Sequence, residues 1–333
     1  MAGEKVTLSG AKETLLVTLS AKAGESRLHD SLLKDRFAAE AMARIDYDFS
    51  RLGVDRDIMI GVALRAHVID GWTRDFIARN PEATVLNLGC GLDSRIFRVA
   101  PPPGILWFDI DYPDVVALRQ RLYPPRQNCR LLGSSVTEPG WLEAVPGDRS
   151  TFVIAEGLLP YLEPQDVLRL LDRLIAHVPS GELAFDAYSA LGLALIAWQP
   201  SIRATGATLH WSLDDPSELT ADLPRLELVE ELTGYGSDGY DPRQIARMSL
   251  PARMAVELFG WIPALARIGR LLRFRFWARD GSPQILGGRR RSGVPQARTT
   301  TRPVRRSWPM RRSARAKPQA TSSSQSRKVP AAT

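Results

Sequence analysis

The run VLNL at residues 85–88 ends in Gly89-Cys90-Gly91, and two glycines at that spacing remove the side chains that would keep a ligand from the backbone. A tight turn would use the same residues. The third glycine of a dinucleotide fingerprint should fall at position 94, which is Ser94, so the pyrophosphate-cradling version is incomplete. That argues against a nicotinamide-dependent oxidoreductase and leaves a nucleotide of another kind. Asp111 stands 22 positions after Gly89 at the end of the next apolar run, WFDID, where a carboxylate can accept both hydroxyl protons of a ribose. Asp109 shares its face by strand alternation, but Asp111 is nearer the carboxyl edge, where ligands of open sheets bind. Capping the helix that opens at Pro113 is the structural alternative for Asp111.

Two further charges stand where apolar residues are expected. Val62, Arg65, Ile69, Trp72 and Phe76 recur at intervals of three and four, so Arg65 occupies the apolar stripe of a helix. A guanidinium there takes an anion, a ligand carboxylate being a bidentate partner, unless its stem packs and its head reaches water. If the anion belongs to a ligand, Arg65→Met should leave the empty protein no less stable. Glu156 closes the run FVIA beside Gly157, placed to meet a cationic amino group or to cap the next helix.

The histidines (His29, His67, His177, His210) show no hydrolase-like spacing, so a catalytic triad is not indicated. His210, in TLHWSLDD, is close to a pocket in sequence terms, with packing beside Trp211 as its default. Cys90 and Cys129 make neither a disulfide framework nor a zinc site, and no metal is expected.

Helical periodicity over residues 31–46 and 56–79, stopped by Pro81, predicts an N-terminal helical cap over residues 1–80. Five apolar runs follow at 84–89, 105–111, 129–133, 151–157 and 181–188, with helical stretches at 113–122 and 164–177. Apolar strands alternating with helices predict a doubly wound α/β domain with a mostly parallel sheet over residues 81–280. Residues 191–223 break the rhythm and read as an insertion beside the site. After Pro251 an amphipathic helix, assigned here to core packing rather than to a membrane surface, leads into FRFWAR, a closing strand. No run of 18 uncharged apolar residues occurs, and MAGEKVTLSGAKE lacks a signal-peptide core, so a soluble cytoplasmic protein without a membrane partner is expected.

The net charge of +7 is uneven. Residues 289–328 carry 13 Lys or Arg and no acid follows Asp280, so removing them leaves −6. That basic segment, rich in Ser, Thr and Pro, predicts a disordered tail over residues 281–333 that meets nucleic acid only non-specifically. A nucleotide- or nucleic-acid-binding protein using this tail is the rival class.

As a set, NLGCGLDSR, WFDIDYP, FVIAEGLLPYL and ALRAHVID resemble the leucine carboxyl methyltransferase family, near its branch of tetracenomycin-type polyketide O-methyltransferases. The resemblance covers about residues 12–272. It implies a Rossmann-like class I fold that binds S-adenosyl-L-methionine and passes its methyl to an oxygen, usually of a carboxylate. The family's cofactor contacts fall on Arg65, Gly89, Asp111 and Glu156, with Gly91 in the same loop. Lys22, in SAKAGES, sits where the family has an N-terminal Lys or Arg. The family's adenine-holding Asp-Leu falls on Ser135-Val136, a hydroxyl in place of the acid. A small-molecule acceptor follows, a polyketide-like carboxylate or a phenol; the lack of a histidine base favours the carboxylate, which arrives ionised. The oligomeric state is not specified.

A chain ending at Gly288 should therefore elute from heparin at much lower salt than the full chain and still transfer methyl groups. Salt-gradient chromatography and a labelled-methyl assay check both halves.

Overall fold

Every residue of the strand Thr84–Leu88 (β1) is buried, because helices cover both faces of the sheet in which it is central. The computed structural model describes residues 3–6, 8–234 and 241–277. The sheet continues with Leu106–Asp111 (β2), Cys129–Gly133 (β3), Thr151–Ala155 (β4), Ser180–Tyr188 (β5), Leu226–Thr233 (β6) and Gly269–Trp277 (β7). Its order is β3-β2-β1-β4-β5-β7-β6. The first five strands run parallel, with Thr84 beside both Leu106 and Thr151, while β7 is antiparallel to β5 and β6. Strand order reverses between β1 and β4, which opens a crevice at their carboxyl ends.

The helices are Thr14–Glu25 (α1), Arg36–Arg44 (α2), Arg56–Arg79 (α3), Arg95–Val99 (α4), Pro113–Leu122 (α5) and Pro164–His177 (α6). Ala190–Ala197 (α7), Pro200–Thr205 (α8) and Pro216–Asp222 (α9) lie between β5 and β6. Pro242–Ile245 (α10), Leu250–Gly260 (α11) and Pro263–Ala266 (α12) lie between β6 and β7. The periodicity places α3 to the residue, and Asp55 caps it by accepting from Ile58 N at 2.9 Å. α2 is shorter than the expected 31–46, because Asp35 caps it through Ala38 N. α1 was not foreseen.

Ile69, Trp72, Phe76 and Ile77 of α3 pack against Val85, Trp107, Phe152 and Ile154 on one sheet face. Leu170, Leu171, Leu174 and Ile175 of α6 cover the other, meeting Leu86, Val153 and Leu183. Trp211, Leu213, Leu219 and Leu223, from the stretch read as an insertion, join this second core. Cap helices and sheet belong to one compact unit, Met1–Gln284. The segment read as a basic tail lies outside the described residues.

One expectation fails. The helix after Pro251, assigned to core packing, is α11, and it buries none of its residues. Its Ala252, Ala255, Val256 and Phe259 are half-buried, and none of them joins the cores on the two sheet faces.

Gly181 opens β5 where two neighbours close in: a Cβ there would lie 2.1 Å from the Thr151 carbonyl oxygen and 2.5 Å from Phe276 Cζ. Because one obstacle is backbone, Gly181→Ala should destabilise the fold by about 1–3 kcal/mol or more, measured by urea unfolding.

Candidate active site

A cavity of about 750 Å³ opens over the carboxyl ends of the strands. Lys22, Arg65, Gly89, Gly91, Asp111 and Glu156 all line it, so six of the eight residues singled out in the sequence converge. Ser135 and Val136 do not line it. The Ser135 hydroxyl hydrogen-bonds that of Thr137 at 2.8 Å, and Val136 is buried in the core.

Gly89 and Gly91 have φ of 59° and 48°, a region that excludes most side chains. A Cβ on Gly89 would also approach Leu158 Cδ1 to 2.8 Å. This loop bends back on β2: Cys90 N donates to the Ile110 carbonyl at 3.1 Å, and Gly91 N donates to Asp111 Oδ2 at 2.7 Å. The other Asp111 oxygen accepts from Tyr112 N at 2.7 Å. Burial raises the Asp111 pKa, opposed by those two N–H donors. Asp111 is not the helix cap; α5 starts after Tyr112, whose side chain makes no capping bond. Asp109 is committed elsewhere, paired with Arg119 at 2.6 Å.

Beside the glycines lies a buried network of four cations and five carboxylates, linked by ion pairs. Lys22 Nζ meets Asp93 at 3.0 Å and Glu156 at 3.1 Å. Arg65 meets Glu156 at 3.2 Å and Asp186 at 2.9 Å. Arg95 joins Asp70 at 2.7 Å, Asp93 at 3.2 Å and the second oxygen of Glu156. Arg98 joins Asp35 at 2.6 Å, Asp70 at 2.7 Å and Asp93 at 2.9 Å. Asp186 also accepts from Gly157 N at 2.6 Å and from the Tyr188 hydroxyl. Burial alone would raise the Glu156 pKa, but the charges of Lys22, Arg95 and Arg65 hold it far below the ordinary glutamate range. Asp93 is likewise depressed: burial works against it, and Arg95, Arg98 and Lys22 prevail.

Two sequence expectations change here. Arg65 does pair with anions, but Glu156 and Asp186 of the protein itself supply them, so the idea that Arg65→Met spares the empty protein no longer holds. Glu156 caps no helix; it meets three protein cations. Asp93, Arg95 and Asp186 were overlooked, although Asp186 interrupts an apolar strand near its carboxyl end, as a charge in an apolar run. His210 neither lines the cavity nor packs as a core residue; its Nδ1 meets Glu163 at 3.0 Å, and Thr208 lies at 3.0 Å from Nε2.

The lining also includes apolar side chains: Leu195, Ile196 and Ile202, from the stretch read as an insertion, and Ala255, Val256 and Phe259 of α11. Tyr161 also lines the cavity, its hydroxyl pKa raised by burial. Among the described residues no group of side chains could hold a metal ion.

A leucine carboxyl methyltransferase family model matches residues 15–124. The tetracenomycin polyketide synthesis O-methyltransferase TcmP of Streptomyces glaucescens is 41% identical over 274 residues, 82% of this chain and all of that one. The chain belongs to the leucine carboxyl methyltransferase family. An S-adenosyl-L-methionine-dependent methyltransferase of Gibberella zeae, dpfgK, is 37% identical to this methyltransferase, over 80% of this chain and 95% of the relative. Among solved structures, a Thermobifida fusca chain described as a methyltransferase superposes with a TM-score of 0.50 at 19% identity, covering 79% of this chain and 94% of that one. The methyltransferase is an enzyme that uses S-adenosyl-L-methionine for O-methylation.

Removing one partner of a buried pair strands the other, so Arg65→Met should destabilise the apo methyltransferase by about 3–5 kcal/mol in urea unfolding at neutral pH. Glu156 adds a pH signature. Its folded pKa lies below the ordinary 4.5, so its stabilisation is present above that value and is lost as the pH falls below it. Glu156→Gln should flatten the acid limb of the stability profile, which unfolding curves at a series of acidic pH values will show.

Proposed function

We propose that this methyltransferase esterifies a carboxylate of a polyketide-like small molecule inside the cavity. The observation that carries the reading is the cavity's lining, which combines the charged groups beside the glycine loop with apolar side chains of α7, α8 and α11 and includes no histidine among the described residues. A carboxylate, with a pKa near ~4, presents its nucleophilic oxygen already ionised, whereas a phenol near ~10 generally needs a base. TcmP acts in polyketide synthesis by name and aligns over its whole length, which supports an acceptor of that class.

The residues fit S-adenosyl-L-methionine. The absence of side chains at 89 and 91 lets a nucleoside lie close to the loop backbone, and a Cβ on Gly89 would already collide with Leu158. Asp111 is assigned to the ribose hydroxyls, its carboxylate being held by two backbone N–H groups. Lys22, Arg65 and Glu156 are assigned to the amino-acid end, where one carboxylate and one ammonium need opposite partners. Ser135 and Val136 are assigned to the adenine end on position alone: Ser134 N donates to the Asp111 carbonyl at 2.8 Å, which sets their turn beside the ribose residue. When bound, the cofactor supplies an electrophilic methyl group on a sulfonium. Apolar walls from α7, α8 and α11 exclude water, and in a dry site alignment supplies most of the rate.

Asp111→Ala should fold and lose about 1.5–3 kcal/mol of S-adenosyl-homocysteine affinity by calorimetry, the range for a charged hydrogen bond. Unchanged affinity would remove Asp111 from the cofactor site. For the acceptor, product formed from labelled cofactor should release labelled methanol on alkaline hydrolysis, as an ester does. A product whose label survives alkali is an ether and would replace the carboxylate with a phenol.

A further inference from the structure

α11 is apolar on two faces. Ala252, Ala255, Val256 and Phe259 turn towards the cavity, while Leu250, Met254, Leu258 and Trp261 form a stripe at intervals of four, four and three that is 61–83% exposed. α7 repeats the pattern at another part of the same cavity: Leu191, Leu195 and Trp198 are exposed, with Trp198 at 73%. Each stripe ends in a tryptophan, a residue that favours the boundary between water and hydrocarbon. Exposed apolar side chains gathered around an opening mark a binding surface, since single ones scattered over a surface need no explanation.

Charge selects among the partners such a surface could meet. Arg253 and Arg267 are exposed on and just after α11, against one exposed acid there, Glu257, and the Arg203 guanidinium lies 5.5 Å from the Trp198 ring centroid. The sequence adds 13 Lys or Arg after residue 288 with no acid. In a symmetric pair of identical chains each copy brings the same cations to the contact. An anionic lipid surface brings the opposite charge and an apolar phase together. Stable attachment to a bilayer takes two signals, an apolar insertion and a basic segment, and this chain holds both.

We infer that the exposed faces of α7 and α11 dock the methyltransferase on an anionic membrane surface, with the apolar mouth of the cavity turned to the bilayer. The helix expected from sequence to pack in the core is thereby an interfacial helix. An apolar acceptor would enter from the phase that dissolves it, and α11 would bridge lipid and cavity with its two faces. The inference does not depend on which oxygen accepts the methyl.

The test is flotation of the full chain with phosphatidylcholine vesicles, with and without phosphatidylglycerol, alongside the triple variant Trp198→Ser, Leu258→Ser, Trp261→Ser. None of these three side chains lines the cavity, so S-adenosyl-homocysteine binding in solution serves as the fold control. The wild type should float with the anionic vesicles, and a bound fraction should remain at about 0.5 M salt, where exposed charges are largely screened. The triple variant should bind S-adenosyl-homocysteine normally and lose vesicle affinity by about tenfold or more. Three results overturn the inference: no flotation with either vesicle; flotation abolished by salt and unaffected by the substitutions, which assigns it to the basic segment alone; or a dimer in sedimentation that the substitutions split, which assigns the face to a second copy. Should the triple variant fail the cofactor control, Trp261→Ser alone carries the comparison.

Discussion

The chain assembles around a set of buried charges that cannot be satisfied singly. Glu156 takes Lys22 from α1, Arg65 from α3 and Arg95 from α4, and each of those cations has another carboxylate to share. Taking such groups out of water costs several kcal/mol per ion, so the arrangement is stable only as a whole. Its members come from both sides of the crevice, and the ion pairs therefore fix the cap helices against the strand ends. The position of the roof over the glycine loop is set by electrostatics as much as by apolar packing.

The sheet divides the labour. Its parallel half, β1 to β4, ends in the glycine loop, Asp111 and Glu156, the polar groups that suit a nucleoside with an amino-acid arm. Its other half carries the two excursions, α7 to α9 and α10 to α12, between β5, β6 and β7. These supply apolar walls to the cavity, four side chains to the second core, and Arg247, which pairs with Glu25 and Asp30. Variation in the acceptor can be accommodated in the excursions without disturbing the charge network.

Much of this was legible in the sequence, for identifiable reasons. The inner parallel strands are buried on both faces and appear as apolar runs, while β3 at the edge is half-buried and includes Arg130. Asp111 and Glu156 stand out because each ends such a run, and ligands gather at those edges. Arg65 was recognisable as a charge in an apolar stripe, yet its partners within the protein were not foreseen, since Glu156 and Asp186 lie 91 and 121 residues away and local patterns carry no trace of that pairing. α1 escaped notice because Leu15, Leu16, Val17, Leu19, Ser20 and Lys22 bury almost every side of it, which erases the one-sided periodicity by which helices are recognised. α11 was assigned to the core by the same logic in reverse: its apolar residues mark two faces, and sequence cannot say that neither lies on the sheet.

The long reach of the Arg65–Asp186 pair has a kinetic consequence. During synthesis α1 and α3 emerge well before β4 and β5, so Lys22 and Arg65 lack the carboxylates they pair with in the folded protein until Asp93, Glu156 and Asp186 have been added. The cap cannot be buried in its native place while those charges lack partners. Closure over more than a hundred residues is slow compared with forming the helices themselves. The native burial of Lys22 and Arg65 therefore waits on strands made later in the chain.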